Sequence, residues 1–170
     1  LYKGYTIQPY SPKAGTGLSS HEINQPGCYQ DVKDTSAVAQ FKLCKPELSP
    51  FEVEGAIFLL AWTTTPWTLP SNTALTVGDK IEYVCVTTFN QYTHQKMSVV
   101  LAKKLVGYQF SKGYFSVETT AELESYENGA KKIPYYVGSS CIGKDLLGLR
   151  YEQLLNYCLP AENAENAFKV

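Results

Sequence analysis

The 170-residue chain carries 15 basic and 16 acidic residues, a net charge of −1, and 44% hydrophobic residues. That is enough apolar material for one cored domain. The charge is too balanced for a global field that would gather nucleic acid, so any RNA contact has to come from a local patch, and with Arg150 the only arginine that patch is expected to bind weakly.

Taken in chain order, short runs rich in Val, Ile, Tyr and Phe predict strands over residues 5–9, 37–43, 56–62, 74–77, 81–87 and 97–101, then over 114–119, 135–140 and 165–170. Helical signals are brief. Residues 102–106 predict one or two turns ended by Gly107, 151–157 another short helix, and 68–75 a helical or turn segment. Polar stretches at 45–50 and 128–132 read as exposed loops. Many short strands and few helices imply a mainly β fold of the closed or nearly closed barrel type.

Cys28, Cys44, Cys85, Cys141 and Cys158 are odd in number, widely spaced and without a C-x-x-C pair, which argues against both a zinc knuckle and a disulfide framework. Cys85 sits in a strand pattern and reads as a small buried apolar residue. His21 and His94 lack metal-ligand spacing, so no metal site is expected. Neither a signal peptide nor a membrane-spanning run is expected, and a reducing cytoplasm fits this composition. The chain opens on Leu1 and closes on Val170 within strand-like segments, so it is expected to be a fragment of a longer protein.

The most informative stretch is Trp62-Thr63-Thr64-Thr65-Pro66-Trp67-Thr68-Leu69-Pro70-Ser71-Asn72. It follows the continuous apolar run of residues 56–61, a pattern expected of a buried strand. Pro66 and Pro70 cannot donate to a ladder, so the strand has to stop there. The threonine hydroxyls, two indoles and an amide are thereby delivered on a constrained turn at the end of a rigid element. No histidine or carboxylate lies within the motif. Threonine is a poor nucleophile without an adjacent base, so Thr64, Thr65 and Thr68 suit positioning of a water or an oxyanion rather than covalent attack. Trp62 reads equally as core or as pocket wall. Trp67 can stack on a base or pack beneath the turn, and Asn72 can bond a ribose or base edge or cap the segment after it. Lys103-Lys104 and Lys131-Lys132 are candidate phosphate contacts, or simply solvated charges.

This turn resembles the threonine-rich signature of the editing domain of the isoleucyl-tRNA synthetase family, with Thr65-Pro66-Trp67-Thr68-Leu69-Pro70 the discriminating part. The sister valyl and leucyl editing domains typically carry an arginine at the position of Thr65 and no tryptophan at that of Trp67. The resemblance extends to Pro9-Tyr10-Ser11-Pro12, to the block from Gly15-Thr16-Gly17 to His21-Glu22, to Tyr29-Gln30-Asp31-Val32-Lys33-Asp34, and to the block from Gly143-Lys144-Asp145 to Arg150-Tyr151-Glu152. Together these span nearly the whole chain, in a pattern closer to the eukaryotic-like branch.

The resemblance implies a β-barrel editing domain inserted into a catalytic nucleotide-binding domain, with residues 1–21 as the strand link and 22–170 as the barrel. It implies hydrolysis of valine misattached to isoleucine tRNA, with Thr64, Thr65 and Thr68 catalytic and Trp62, Thr63, Trp67 and Asn72 on the substrate and the tRNA 3′ end. The implied partners are the valine-bearing tRNA acceptor end and the parent catalytic domain in cis. ATP and Mg are implied for the parent and no cofactor for this piece, which is expected to be monomeric. A valyl- or leucyl-type editing domain and a non-catalytic RNA-binding barrel stand as the alternatives. The family's second signature, a Gly-Thr-Gly turn followed by His-x-Ala-Pro and an Asp for the substrate's ammonium, is not found in this sequence. Gly15-Thr16-Gly17 with His21 precedes the threonine turn and matches a different block. The chain alone is therefore expected to be nearly inactive.

Overall fold

The computed structural model describes residues 2–170, and the chain divides into two compact units at Thr35/Ser36. In the first unit a hairpin of two-residue strands pairs β1 (Tyr10–Ser11) with β2 (Thr16–Gly17), and its loop ends on Gly15, whose φ is +69°. One helical turn follows, α1 (Ser20–Ile23). Its start is a capping box: the Glu22 N–H donates to Ser19 Oγ, and the Ser19 N–H donates to Glu22 Oε2 at 2.6 Å. The bond from the Ser19 backbone, with a second from its hydroxyl, holds the Glu22 carboxyl below its usual range. The strand expected over 5–9 is absent, and pairing begins only at Tyr10.

The second unit is one mixed sheet. Its strands are β3 (Ala37–Lys42), β4 (Ile57–Thr63), β5 (Glu82–Phe89) and β6 (Lys96–Ala102), then the single turn α2 (Val106–Gln109), β7 (Tyr114–Val117) and β8 (Ile133–Ile142). The order across the sheet is β3-β4-β6-β5-β8-β7, and no pairing joins β3 to β7 among the described residues. The β4–β6 and β7–β8 pairs are parallel and the others antiparallel. The mainly β class expected from the sequence holds.

The middle segments of the central strands, Val84–Val86 of β5 and Val99–Leu101 of β6, are apolar without alternation because both faces of the sheet are covered there. On β5 and β6, Val84, Val86, Val99 and Leu101 pack with Phe110 on one side, while Cys85 and Val100 join Phe41, Leu59 and Tyr151 on the other. Between Val84 and Val86 the β5–β8 register shifts, and Gly138 lies where a Cβ would come 3.2 Å from the Cys85 carbonyl oxygen.

Several short expectations fail for tertiary reasons. Residues 74–77 and 165–170 form no strand. A single bridge joins Ala74 to Lys169 and another joins Arg150 to Lys169, with a 3-10 helix at Ala164–Asn166. Tyr151 starts no helix, because it bridges to Leu43 and buries its ring. Gly107 does not end the helical segment. That segment runs on to Gln109, carrying Phe110 inward to stack on Tyr135 at 4.7 Å. All five cysteines are free, and none of the described helices is long and apolar enough to cross a membrane.

Candidate functional site

β4 delivers the threonine-rich turn, and its alternation decides which way each residue faces. Ile57, Leu59 and Ala61 point to the side of Phe41 and Tyr151, whereas Phe58 and Leu60 point to the side of Val86 and Phe110. Carried two residues further, the same period puts Thr63 on the first side and Trp62 on the second. Pairing with β3 continues to Thr63, opposite Ala37, so the turn leaves from a hydrogen-bonded strand end.

Residues Pro66–Ser71 then wind into a 3-10 helix. Pro66 occupies its first turn, where a missing N–H costs no hydrogen bond. The Thr68 N–H donates to the Thr65 carbonyl at 3.0 Å and the Asn72 N–H to the Leu69 carbonyl at 3.1 Å. The segment expected to be helical or turn-like is therefore present, two residues earlier than its expected start.

The hydroxyls are not equivalent. Thr63 Oγ1 accepts from the Thr65 N–H at 3.0 Å and lies 3.2 Å from Thr65 Oγ1, so one proton is shared between the two hydroxyls and the other is free. Thr68 Oγ1 gives its proton to the Thr65 carbonyl at 2.8 Å, which leaves its oxygen lone pairs as acceptors. The Thr64 side chain is exposed and its hydroxyl has no partner among the described residues.

Thr63, Thr68 and Asn72 meet at one cavity of about 490 Å³, floored by Phe41, Ala61, Leu69 and Leu75 and completed by Ser71 and Thr73. None of its lining side chains is titratable. It offers hydroxyls and an amide over an apolar floor, so it can orient a neutral ligand or a water but cannot supply a general base. Thr64, Thr65 and Trp67 do not line it.

The two indoles separate from each other. Trp62 is 62% exposed and lines a second, largely apolar cavity of about 520 Å³. That cavity opens where β4 and β6 part: their pairing stops at Leu59–Val100, and Leu60 and Trp62 then face Leu101 and Leu105 across a gap. Trp62 is thus a wall of that gap rather than core. Trp67, 67% exposed, projects from the 3-10 helix and is not packed beneath the turn.

Asn72 is committed to the protein at both ends of its amide. Oδ1 accepts from the Tyr151 hydroxyl at 2.7 Å and Nδ2 donates to the Ala74 carbonyl at 2.9 Å. Tyr151 is the residue that sequence reasoning missed, since nothing local marks a contact made across 79 positions.

The basic candidates also divide. Lys103 donates to Glu82 at 2.7 Å, and that contact holds the Glu82 carboxyl below its usual range. Lys104, Lys131 and Lys132 are exposed, with no ion-pair partner among the described residues. Arg150, the only arginine, is exposed, but its terminal nitrogens donate to the Glu165 and Ala167 backbone carbonyls. His94 lies 3.0 Å from the Tyr126 hydroxyl through Nδ1, far in sequence from the threonine turn.

No family model matches the chain. Individual proteins do. It is 56% identical over 168 residues to the isoleucine–tRNA ligase of Bacteroides thetaiotaomicron, a match covering 98% of this chain and 14% of that protein. It is 59% identical over 160 residues to the isoleucine–tRNA ligase of Cytophaga hutchinsonii, covering 94% of this chain and 14% of that one. A more distant relative, the isoleucine–tRNA ligase of Clostridium tetani, is 38% identical over 164 residues, covering 96% of this chain and 12% of the relative. The chain therefore spans about one seventh of the length of the curated relatives it matches.

Proposed function

We propose, from the premise that this chain belongs to the isoleucyl-tRNA synthetase family as one segment of it, that it forms the threonine-bearing half of an editing site which hydrolyses valine from isoleucine tRNA. The observation that carries this reading is the cavity beneath the threonine turn, where hydroxyls and an amide meet over an apolar floor with no titratable group.

The chemistry explains the donor set. Valine and isoleucine differ by one methylene, worth only ~1–3 kcal/mol in an apolar pocket, so selection at one site leaves errors that a second site has to remove. The bond to be cleaved is an activated ester. Water adds to its carbonyl carbon, the oxyanion forms and collapses, the ester C–O bond breaks, and valine leaves a free ribose hydroxyl on the tRNA. Such a reaction needs an oriented water and donors to the oxyanion more than a protein nucleophile.

In this scheme the unshared proton of the Thr63–Thr65 hydroxyl pair is a donor for the oxyanion, and Thr68 Oγ1, whose own proton is engaged, accepts from the attacking water. Thr64 offers its free hydroxyl from the outer side of the turn. Trp62, Thr63, Trp67 and Asn72 hold the terminal adenosine and its ester, the exposed indoles by stacking. The working partners are the tRNA acceptor end and the parent's catalytic domain in cis, in the cytoplasm. The cavity carries no carboxylate or cation that fits ATP or Mg²⁺, so we assign both to that catalytic domain.

The test is made in the full-length enzyme bearing this segment. Thr65→Ala and Thr68→Ala are expected to leave isoleucine activation unchanged while valine accumulates on isoleucine tRNA. Loss of one oxyanion donor typically costs ~10²–10³ in rate, and loss of a water contact less. If both variants clear valyl-tRNA at the wild-type rate, the threonines only shape the turn and the editing assignment falls.

A further inference from the structure

We propose that Tyr151 is a positioning residue for the threonine cavity: its hydroxyl sets the Asn72 amide so that one Asn72 N–H points into the cavity, where it holds an oxygen of the bound aminoacyl ester. This rests on the editing assignment above and extends it to a residue outside the cavity lining.

The argument starts from the packing of Tyr151. Its ring is 2% exposed and is met edge-on by Phe41 at 5.1 Å and by Phe168 at 6.2 Å. Its backbone N–H donates to the Phe168 carbonyl at 3.0 Å. The hydroxyl therefore has one place to be, and there it meets Asn72 Oδ1 at 2.7 Å. Burial pushes the phenol up to about 12, so it remains a proton donor throughout the neutral range.

Two partners then settle the orientation of the Asn72 amide. The Ala74 carbonyl can only accept, so the Asn72 atom 2.9 Å from it is the nitrogen. The tyrosine hydroxyl, donating from the other side, selects the oxygen. An amide nitrogen carries two hydrogens, and only one is used by Ala74. The other has no partner among the described residues, on a side chain that lines the cavity with Thr63 and Thr68. Without the tyrosine hydroxyl the amide is held by the Ala74 carbonyl alone, and it can swing about its last bond and carry the remaining N–H away from the ester.

The experiment uses valyl-tRNA deacylation by the full-length enzyme, with isoleucine activation as the control on folding. Tyr151→Phe keeps the ring and removes the donor. It is expected to lower kcat about tenfold, the size of one hydrogen bond to an uncharged partner, with KM for valyl-tRNA unchanged. In an Asn72→Ala background the same substitution is expected to have no further effect, because the two residues act as one unit. Asn72→Asp still accepts from Tyr151 but has no N–H to offer, and its kcat is expected to fall at least as far.

A wild-type enzyme that leaves valyl-tRNA intact sinks the editing assignment itself. A wild-type enzyme that clears it, together with a Tyr151→Phe enzyme of undiminished kcat, overturns the positioning role alone. So does a loss that persists undiminished in the Asn72→Ala background. If Tyr151→Phe does not fold, Asn72→Asp decides the matter, since turnover at the wild-type rate overturns the proposal.

Discussion

Arg150 clasps the chain near Ala167: one terminal nitrogen donates to the Ala167 carbonyl at 3.0 Å, and the other reaches the Glu165 carbonyl at 2.9 Å. The clasp holds the segment that carries Phe168 into the core beside Tyr151, with Phe168 in a left-handed conformation at φ +61°. Arg150→Met is expected to destabilise the fold by about 1.5–3 kcal/mol, the usual worth of hydrogen bonds from a charged donor. Arg150→Lys is expected to restore little, because an ammonium is a point donor where the guanidinium spans two carbonyls. Urea unfolding followed by tryptophan fluorescence measures both, and a midpoint unchanged in Arg150→Met would show the clasp to be idle.

Gly143 is where two loops touch backbone to backbone. A Cβ there would stand 2.1 Å from the Gly78 carbonyl oxygen, whereas one on Gly107 would meet open space. Gly143→Ala is accordingly expected to cost about 1–3 kcal/mol through backbone displacement. Gly107→Ala, within the one-turn helix, is expected to be neutral or to stabilise by roughly 0.4–1 kcal/mol through the unfolded chain. Thermal melts of the two variants side by side give the comparison, and equal melting points would contradict the contact.

The Tyr151 phenol predicts an alkaline limit to stability. Its pKa is raised to about 12 in the folded chain against about 10 in an unfolded one, so the folded state binds the proton more tightly. Its contribution is complete below pH ~10, falls as pH rises through the interval to about 12, and is gone above that. Tyr151→Phe has no such proton and is expected to unfold with a flatter pH dependence over this interval. Denaturant midpoints measured from pH 9 to 12 check the slope, and parallel curves for wild type and variant would refute the assignment.

The sequence by itself determined those features whose cause lies within a few neighbouring residues. The continuous apolar run of residues 56–61 identified β4 as a buried strand, and runs rich in Val, Ile, Tyr and Phe identified β5 and β6 as strands. Pro66 and Pro70 determined that β4 could not run on past the threonines, and the ordered blocks from Pro9 to Glu152 carried the likeness to the family. Only the tertiary structure decided the rest, because a contact across the chain has no local signature. Residues 74–77 and 165–170 have the composition of strands, yet they found only single bridges, since strand formation needs a partner over its whole length. The period of two along β4 sent Trp62 and Thr63 to opposite faces, so residues adjacent in the motif serve different cavities. Asn72 could be read in sequence as a cap or as a ligand contact. Its orientation was settled by the Ala74 carbonyl together with Tyr151, 79 positions away, whose buried hydroxyl finds its acceptor in the Asn72 oxygen.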